Sequence, residues 1–207
     1  LLVVTDGRDG YLEQAVESAA EMLPDPDRRV MVDDTGYPPH TALLKSMFGD
    51  YEIYGRAGKR GLASTVAYGW SLCDTDYVFH LEDDFTFNEP VDIDNMAAVL
   101  ESEPDLAQMC LLRQPWNAQE QDAGGIVEMN PGEYTDRDGW LEHTRLFSLN
   151  PCLIPRDIYG LGWDEGNERG FTDLLIPDGW RLGFWGDRGD PPKVHHIGKQ
   201  RAPGWSL

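Results

Sequence analysis

A chain of 207 residues with 37 acidic and 17 basic side chains, formal net charge −20, is long enough for one sizeable core, and nothing in it demands two. That charge argues against a nucleic-acid groove or an anionic membrane as the main partner, and no stretch approaches the roughly 20 apolar residues of an integral membrane segment. Cys73, Cys110 and Cys152 are too widely spaced for a zinc knuckle or a disulfide framework, so buried, reduced thiols in a cytoplasm are expected. No basic-then-apolar leader is read in these residues, so either a cytosolic chain or one whose address was removed is expected, and a start at Leu1 inside an apolar run suggests that residues have been trimmed or are missing from the sequence.

Residues 1–4 predict a strand. The helix expected from about 9 to 23 carries Leu12, Ala15, Val16, Ala19 and Leu23 at helical spacing, with Pro24 and Pro26 beyond its end. Residues 29–32 read as a second strand, 41–48 as a short helix burying Leu43, Leu44, Met47 and Phe48, and 51–54 as a brief strand. A helix after Gly61, to about 72, then leads into a strand over 77–81. Four alternations of strand and helix predict a mostly parallel α/β sheet flanked by helices in a single domain, with ligands bound at one edge beyond the strand ends.

After Asp84 the rhythm loosens. Asp92 or Asp94 caps a helix to about 101, and 106–112 reads as a strand. Residues 113–140 show no period, and a loop of that length predicts a functional lid. A strand over 145–154 interrupted at Asn150-Pro151, a short helix over 170–176 stopped by Pro177, and a strand over 180–185 complete the reading.

The chemistry gathers at the strand ends. Glu82, Asp83 and Asp84 follow the strand over 77–81, and three adjoining carboxylates repel one another unless a cation compensates; Mg²⁺ or Mn²⁺ shared with substrate phosphates would do so, and a solvated acidic turn is the competing account. The first two strands end in Thr5-Asp6-Gly7-Arg8 and Asp33-Asp34-Thr35-Gly36, whose carboxylates can accept hydrogen bonds from a base or a ribose, or else cap turns. Arg56, Lys59 and Arg60 lie among Gly55, Gly58 and Gly61 just before a helix, where glycine permits close approach and cations grip phosphate. It is no Walker A loop, because Arg60 follows Lys59 where that motif needs Ser or Thr.

In this order the motifs resemble those of GT-A-fold (Rossmann-like) glycosyltransferases, most nearly the large family 2 group. Val32-Asp33-Asp34-Thr35-Gly36 resembles that family's Asp-Asp-Gly-Ser-like turn. Gly58-Lys59-Arg60-Gly61-Leu62-Ala63 with Ala67-Tyr68-Gly69 resembles the helix start before its metal strand, and Phe79-His80-Leu81-Glu82-Asp83-Asp84 resembles the DxD-type strand itself, with Glu82 replacing the first Asp. The resemblance implies a nucleotide-sugar half over 1–87 and an acceptor half with a C-terminal tail over 88–207. It implies a UDP-sugar donor held by Thr5, Asp6, Gly7, Arg8, Asp33, Asp34, Lys59, Arg60, Glu82 and Asp83. Mn²⁺ or Mg²⁺ would be held by Asp84 with Glu82 and by His196, whose Val194-His195-His196-Ile197-Gly198 context is similar to a late metal-shell element of several such enzymes.

The segment from Trp163 to Glu168, followed by Phe171 to Leu175 and Gly179-Trp180-Arg181, resembles that family's segment carrying the acid that activates an acceptor hydroxyl; the resemblance places Glu168 nearest that acid, with Asp173 the alternative and a surface helix the competing account for both. Inversion follows if that acid lies opposite the leaving group. The acceptor itself, a glycan, metabolite or protein, stays open, and Lys199 and Arg201 are expected to close over a diphosphate. Trp116, Trp140, Trp163, Trp180, Trp185 and Trp205 crowd the second half, as sugar-stacking platforms or as packing. Two competing functions are a non-catalytic sugar-nucleotide-binding module and a haloacid dehalogenase-type phosphatase; the latter wants two Asp residues two apart, whereas Asp6 and Asp9 are three apart.

Overall fold

The computed structural model describes residues 1–163 and 166–198. Its first half alternates strand and helix: β1 (Leu2–Thr5), α1 (Asp9–Met22), β2 (Val30–Asp33), α2 (Pro38–Met47), β3 (Glu52–Gly55), α3 (Leu62–Ser71) and β4 (Tyr77–Glu82). Then come β5 (Phe85–Phe87), α4 (Ile93–Ser102), β6 (Leu106–Leu111), α5 (Ala118–Ala123), α6 (Ile126–Met129), β7 (Thr135–Asp136), β8 (Trp140–His143), β9 (Cys152–Pro155), α7 (Arg156–Tyr159), α8 (Glu168–Leu175), β10 (Arg181–Trp185) and β11 (Val194–His196). No described helix is long and apolar enough to cross a membrane.

One sheet carries both halves of the chain, in the order β3-β2-β1-β4-β9-β6-β10-β8-β7. β9 and β8 run against the rest, so the sheet is mostly parallel. The central strands β1, β2 and β6 are buried along their whole length, and their side chains alternate between two apolar layers. Val3, Met31 and Leu81 face α1 and α4 through Leu12, Val16, Met96 and Leu100. Leu2, Val4, Val32 and Val78 face α3, α7 and α8 through Val66, Trp70, Ile158 and Phe171.

In that second layer Trp70, Phe147, Trp163 and Phe171 meet mainly edge to face, with ring centroids 4.7 to 6.4 Å apart. Such pairs contribute about 0.5–1.5 kcal/mol each beyond area burial. The cluster fixes α8 against α3 and thereby places the start of α8.

Three sequence expectations need correction. α2 begins earlier, at Pro38, where a fixed φ suits a first helical turn, and it buries only Leu44; Leu43 and Met47 are exposed and Phe48 is partly so. The aperiodic 113–140 segment is not one long loop, since it holds α5, α6 and β7. The strand expected over 145–154 forms only at 152–155, because Pro151 has no N–H to give a ladder, and it enters antiparallel between β4 and β6.

Candidate active site

The parallel strands β1, β2 and β4 end at one edge, which places Thr5 level with Asp33 and Val4 level with Glu82. Strand alternation then separates the acidic triplet. Glu82 and Asp84 line a cavity of about 810 Å³, while Asp83 turns toward β1 and is fully buried. There Asp83 Oδ2 accepts the Thr5 hydroxyl at 2.7 Å and the Asp6 N–H at 3.4 Å.

Arg8 occupies the middle of these acids. Its guanidinium pairs with Asp83 Oδ1, with Asp84 Oδ2 and, through Nε at 3.2 Å, with Asp6 Oδ1. Burial works against the Arg8 charge, but these carboxylates outweigh it and raise its pKa further. Burial pushes the Asp83 carboxyl up to about 7 against the pull of Arg8 and Thr5, and burial with the charges of Asp84, Glu168 and Asp83 holds Glu82 well above the ordinary range. For Asp84 the burial penalty is outweighed by His196 and Arg8, which lower it.

Gly7 has φ +94°, and a Cβ there would meet Thr35 Cγ2 at 2.6 Å, so this turn admits no side chain. Thr35 belongs to the turn after β2, where Asp33 is engaged by the Thr35 N–H at 3.0 Å, the Thr41 hydroxyl at 2.5 Å and His40 Nδ1 at 3.1 Å. Burial acts to raise Asp33, but these donors keep it below its ordinary value. Asp34 accepts the backbone N–H groups of Arg60 at 2.9 Å and Gly61 at 2.7 Å, so its carboxylate anchors the basic loop to the start of α3.

The three cations of that loop diverge. Arg56 folds back onto Ser64 and Thr65 over the ring of Tyr68, Lys59 reaches Asp6 at 3.2 Å, and Arg60 lines the cavity. The structure thus brings Lys59, Asp6 and Arg8 into one chain of contacts with Asp83 and Asp84.

Near Glu82, close enough to help raise its pKa, stands Glu168, the first residue of α8. Asn167 caps this helix by accepting the Gly170 N–H at 2.8 Å, and Thr172 joins the Glu168 carbonyl to the Phe147 N–H. Glu168 Oε1 accepts the Leu149 N–H at 2.6 Å, and the residue lines the same cavity as Glu82 and Asp84. Asp173 is not brought there: it pairs with Arg169 at 3.1 Å on the exposed face of α8.

His196 arrives on β11, which pairs antiparallel with β5, the short strand directly after the triplet, and meets Arg113 through a bridge at Val194. Its Nε2 lies 3.2 Å from Asp84 Oδ2, and its ring is packed between Trp116 and Phe85. Gln114 holds the His196 backbone at both ends, its amide exchanging two 2.9 Å hydrogen bonds with the peptide N–H and C=O. Lys199, Arg201 and Trp205 lie outside the described residues.

Among the described residues no three His, Cys, Asp or Glu side chains are gathered to hold a metal ion. Glu82 does not complete a set with Asp84 and His196. Those two fit a cation that takes its remaining ligands from phosphates: Asp84 Oδ1 is buried without a partner, and imidazole and carboxylate are suitable donors.

The sequence reading missed Arg113 and Glu120, a buried bidentate pair at 2.7 and 3.2 Å on the cavity wall. Glu120 also takes the Trp116 N–H at 2.8 Å and Asn117 caps α5, so the pair sets the loop that presses Trp116 on His196. The spacing Asn117-x-x-Glu120 is a helix-start signal that was readable. Of the six tryptophans, Trp116 and Trp163 line the cavity, whereas Trp140 is core and Trp180 and Trp185 pack against it.

A family model described as glycosyl transferase family 2 matches residues 1–158. No curated protein matches the chain. Among solved structures, GalNAc-T7 with UDP, GalNAc and Mn²⁺ superposes with TM-score 0.63 at 13% identity, covering 99% of this chain and 44% of that one. The mannosyltransferase PcManGT from Pyrobaculum calidifontis, with GDP-Man and Mn²⁺, gives TM-score 0.62 at 16% identity over 99% of this chain and 57% of that one. The chain therefore spans about half the length of these neighbours and shares the GT-A fold with them.

Proposed function

We propose that this chain, which belongs to glycosyl transferase family 2, moves a sugar from a nucleoside diphosphate donor, a UDP-sugar in our reading, to an acceptor hydroxyl with inversion. One observation carries the reading: Glu168 lines the same cavity of about 810 Å³ as Asp84 and Glu82, so a further carboxylate borders a space sized for a donor and part of an acceptor.

In this reading the turn at Asp33 and the loop anchored by Asp34 receive the nucleoside. Cleavage of the glycosyl bond leaves negative charge on the diphosphate, and Arg8, Lys59 and Arg60 stand where that charge grows. Asp84 and His196 would hold Mn²⁺ or Mg²⁺, which when bound supplies Lewis-acid neutralisation of the phosphates. Glu168 takes the proton from the acceptor hydroxyl as it attacks, and the Leu149 N–H keeps its carboxylate oriented.

The two neighbours support this reading, since one holds UDP, GalNAc and Mn²⁺ and the other is in complex with GDP-Man and Mn²⁺. A panel of UDP- and GDP-sugars incubated with Mn²⁺, with release of the free diphosphate measured, tests it. Metal-dependent release from a UDP-sugar is expected, release only from GDP-sugars would move the donor, and binding without release would leave a non-catalytic module.

A further inference from the structure

Among the described residues, the cavity is lined by five arginines, Arg8, Arg60, Arg113, Arg145 and Arg169. Four carboxylates line it, Glu82, Asp84, Glu120 and Glu168. In a chain where acids outnumber bases 37 to 17, that inversion of charge is local and needs a cause. Arg8 pairs with the carboxylate edge, Arg60 donates to the Ala57 carbonyl beside the donor side of the cavity, and Arg113 is spent on buried Glu120. Arg145 and Arg169 remain.

Both also line a second, shallower depression with Gly132, Glu133 and Thr144, so they form the wall common to the two spaces. Their present partners are exchangeable. Arg145 pairs with Glu133 and Arg169 with Asp173, acids 53% and 60% exposed, and exposed pairs of this kind are worth little.

Beside them the cavity has donors in want of acceptors. His143 Nδ1 accepts the Arg145 N–H at 3.3 Å, which leaves the ring hydrogen on Nε2, and that buried nitrogen has no partner. Burial lowers the His143 pKa to about 3, so the ring is a neutral donor. Trp163 Nε1 is likewise buried, and among the described residues neither nitrogen has a partner; both residues line the cavity. Buried donors left in this state favour a ligand that brings oxygens.

We propose that Arg145 and Arg169 form an acceptor subsite for an oxyanion, so that the sugar accepted is one carrying a carboxylate or a phosphate. This rests on the glycosyltransferase reading and deepens it. The oxyanion sits at the wall between the two spaces, replacing Glu133 and Asp173 as partner, and the sugar ring extends inward past His143 toward Glu168.

The test is calorimetric titration of the full chain, loaded with UDP and Mn²⁺, with glucose, glucuronate and glucose 6-phosphate, at low and high salt. The same titrations are run on the Arg145→Ala/Arg169→Ala double variant and on Arg169→Ala alone, whose exposed side chain leaves folding intact. We expect one or both anionic sugars to bind roughly tenfold or more tighter than glucose, with an advantage that salt weakens and the double variant removes. Which anion binds separates a carboxylate from a phosphate acceptor. Equal binding of charged and neutral sugars, no binding of either anion, or an advantage that survives in the double variant overturns the subsite. UDP binding on the same samples separates the two failures: intact UDP binding without anion preference removes only the subsite, and absent UDP binding removes the donor reading beneath it.

Discussion

His196 Nε2 stands 3.2 Å from Asp84 Oδ2, and Arg8 reaches the same oxygen, while Asp84 Oδ1 is buried without a hydrogen-bond partner among the described residues. One carboxylate thus joins the first strand end, the fourth and the late β11 segment. An Asp84→Asn variant should lose metal-dependent donor cleavage by at least about a hundredfold, because a neutral amide holds a hard cation poorly. The residue is only 3% exposed, so a stability loss of about 1–3 kcal/mol is expected as well, with Arg8 retaining Asp83 and Asp6. Unchanged Mn²⁺-stimulated turnover would remove the metal assignment.

Glu168→Gln keeps an oxygen for the Leu149 N–H, so α8 should remain in place. We expect kcat to fall by about 10²–10⁴ with donor affinity unchanged, the signature of a lost general base. Asp173→Asn serves as control: it removes only an exposed pair with Arg169 and should alter stability by less than about 1 kcal/mol and turnover negligibly. Comparable losses in both variants would take the base away from Glu168.

Arg8→Ala leaves Asp6, Asp83 and Asp84 without their shared cation in a buried setting. A loss of about 3–5 kcal/mol, read by denaturant unfolding, is expected at neutral pH. The deficit should shrink as pH falls, because Asp83, already near 7 beside Arg8, becomes easier to protonate without it. A deficit that grows on acidification would contradict the assignment of Arg8 as their counter-charge.

His40 bridges α1 and β2 through Asp9 at 2.7 Å and Asp33 at 3.1 Å. Burial opposes its charge, but the two carboxylates prevail and lift its pKa above the ordinary 6.5. A group raised on folding stabilises fully below its unfolded pKa, and that contribution disappears as pH climbs through the folded value. Stability from this bridge should therefore be present below about 6.5 and lost above the His40 midpoint, which NMR titration reads directly. Asp9→Asn should lower the midpoint; a wild-type midpoint at or below 6.5 would show that burial wins.

The first half of the fold was legible because each element carries its own signal. Leu12, Val16 and Ala19 mark one helical face, Pro24 and Pro26 stop it, and the apolar strands end in polar turns. The second half hides its pairing. β9 contributes four residues after Pro151 and lies between strands from other parts of the chain, and β5 and β11 are three residues each and pair over a long sequence separation. At the site, Asp84, Asp83 and Arg8 were readable as strand-end charges. Glu120 was not, since its burial depends on Arg113, and Asp34 looked like a ligand group although it holds the backbone of Arg60 and Gly61.

Gly198 offers a further check on the Asp84 site. The Ile197 N–H donates to the Asp84 carbonyl at 2.8 Å, and the next residue passes so close that a Cβ on Gly198 would lie 2.1 Å from Asp84 Oδ2 and 2.9 Å from its Cγ. Backbone conformation is not the obstacle here; space is. In Gly198→Ala either the Asp84 carboxylate turns away from His196 or the 197–198 segment lifts from β5, and each outcome separates the two groups that would share a cation. Mn²⁺ affinity in the presence of UDP, followed by electron paramagnetic resonance, should fall by about tenfold to a hundredfold, as when a partner that orients a metal ligand is disturbed. Overpacking should also cost about 1–3 kcal/mol of stability. Wild-type Mn²⁺ affinity in a folded Gly198→Ala protein would mean that the position of the Asp84 carboxylate beside His196 does not govern cation binding.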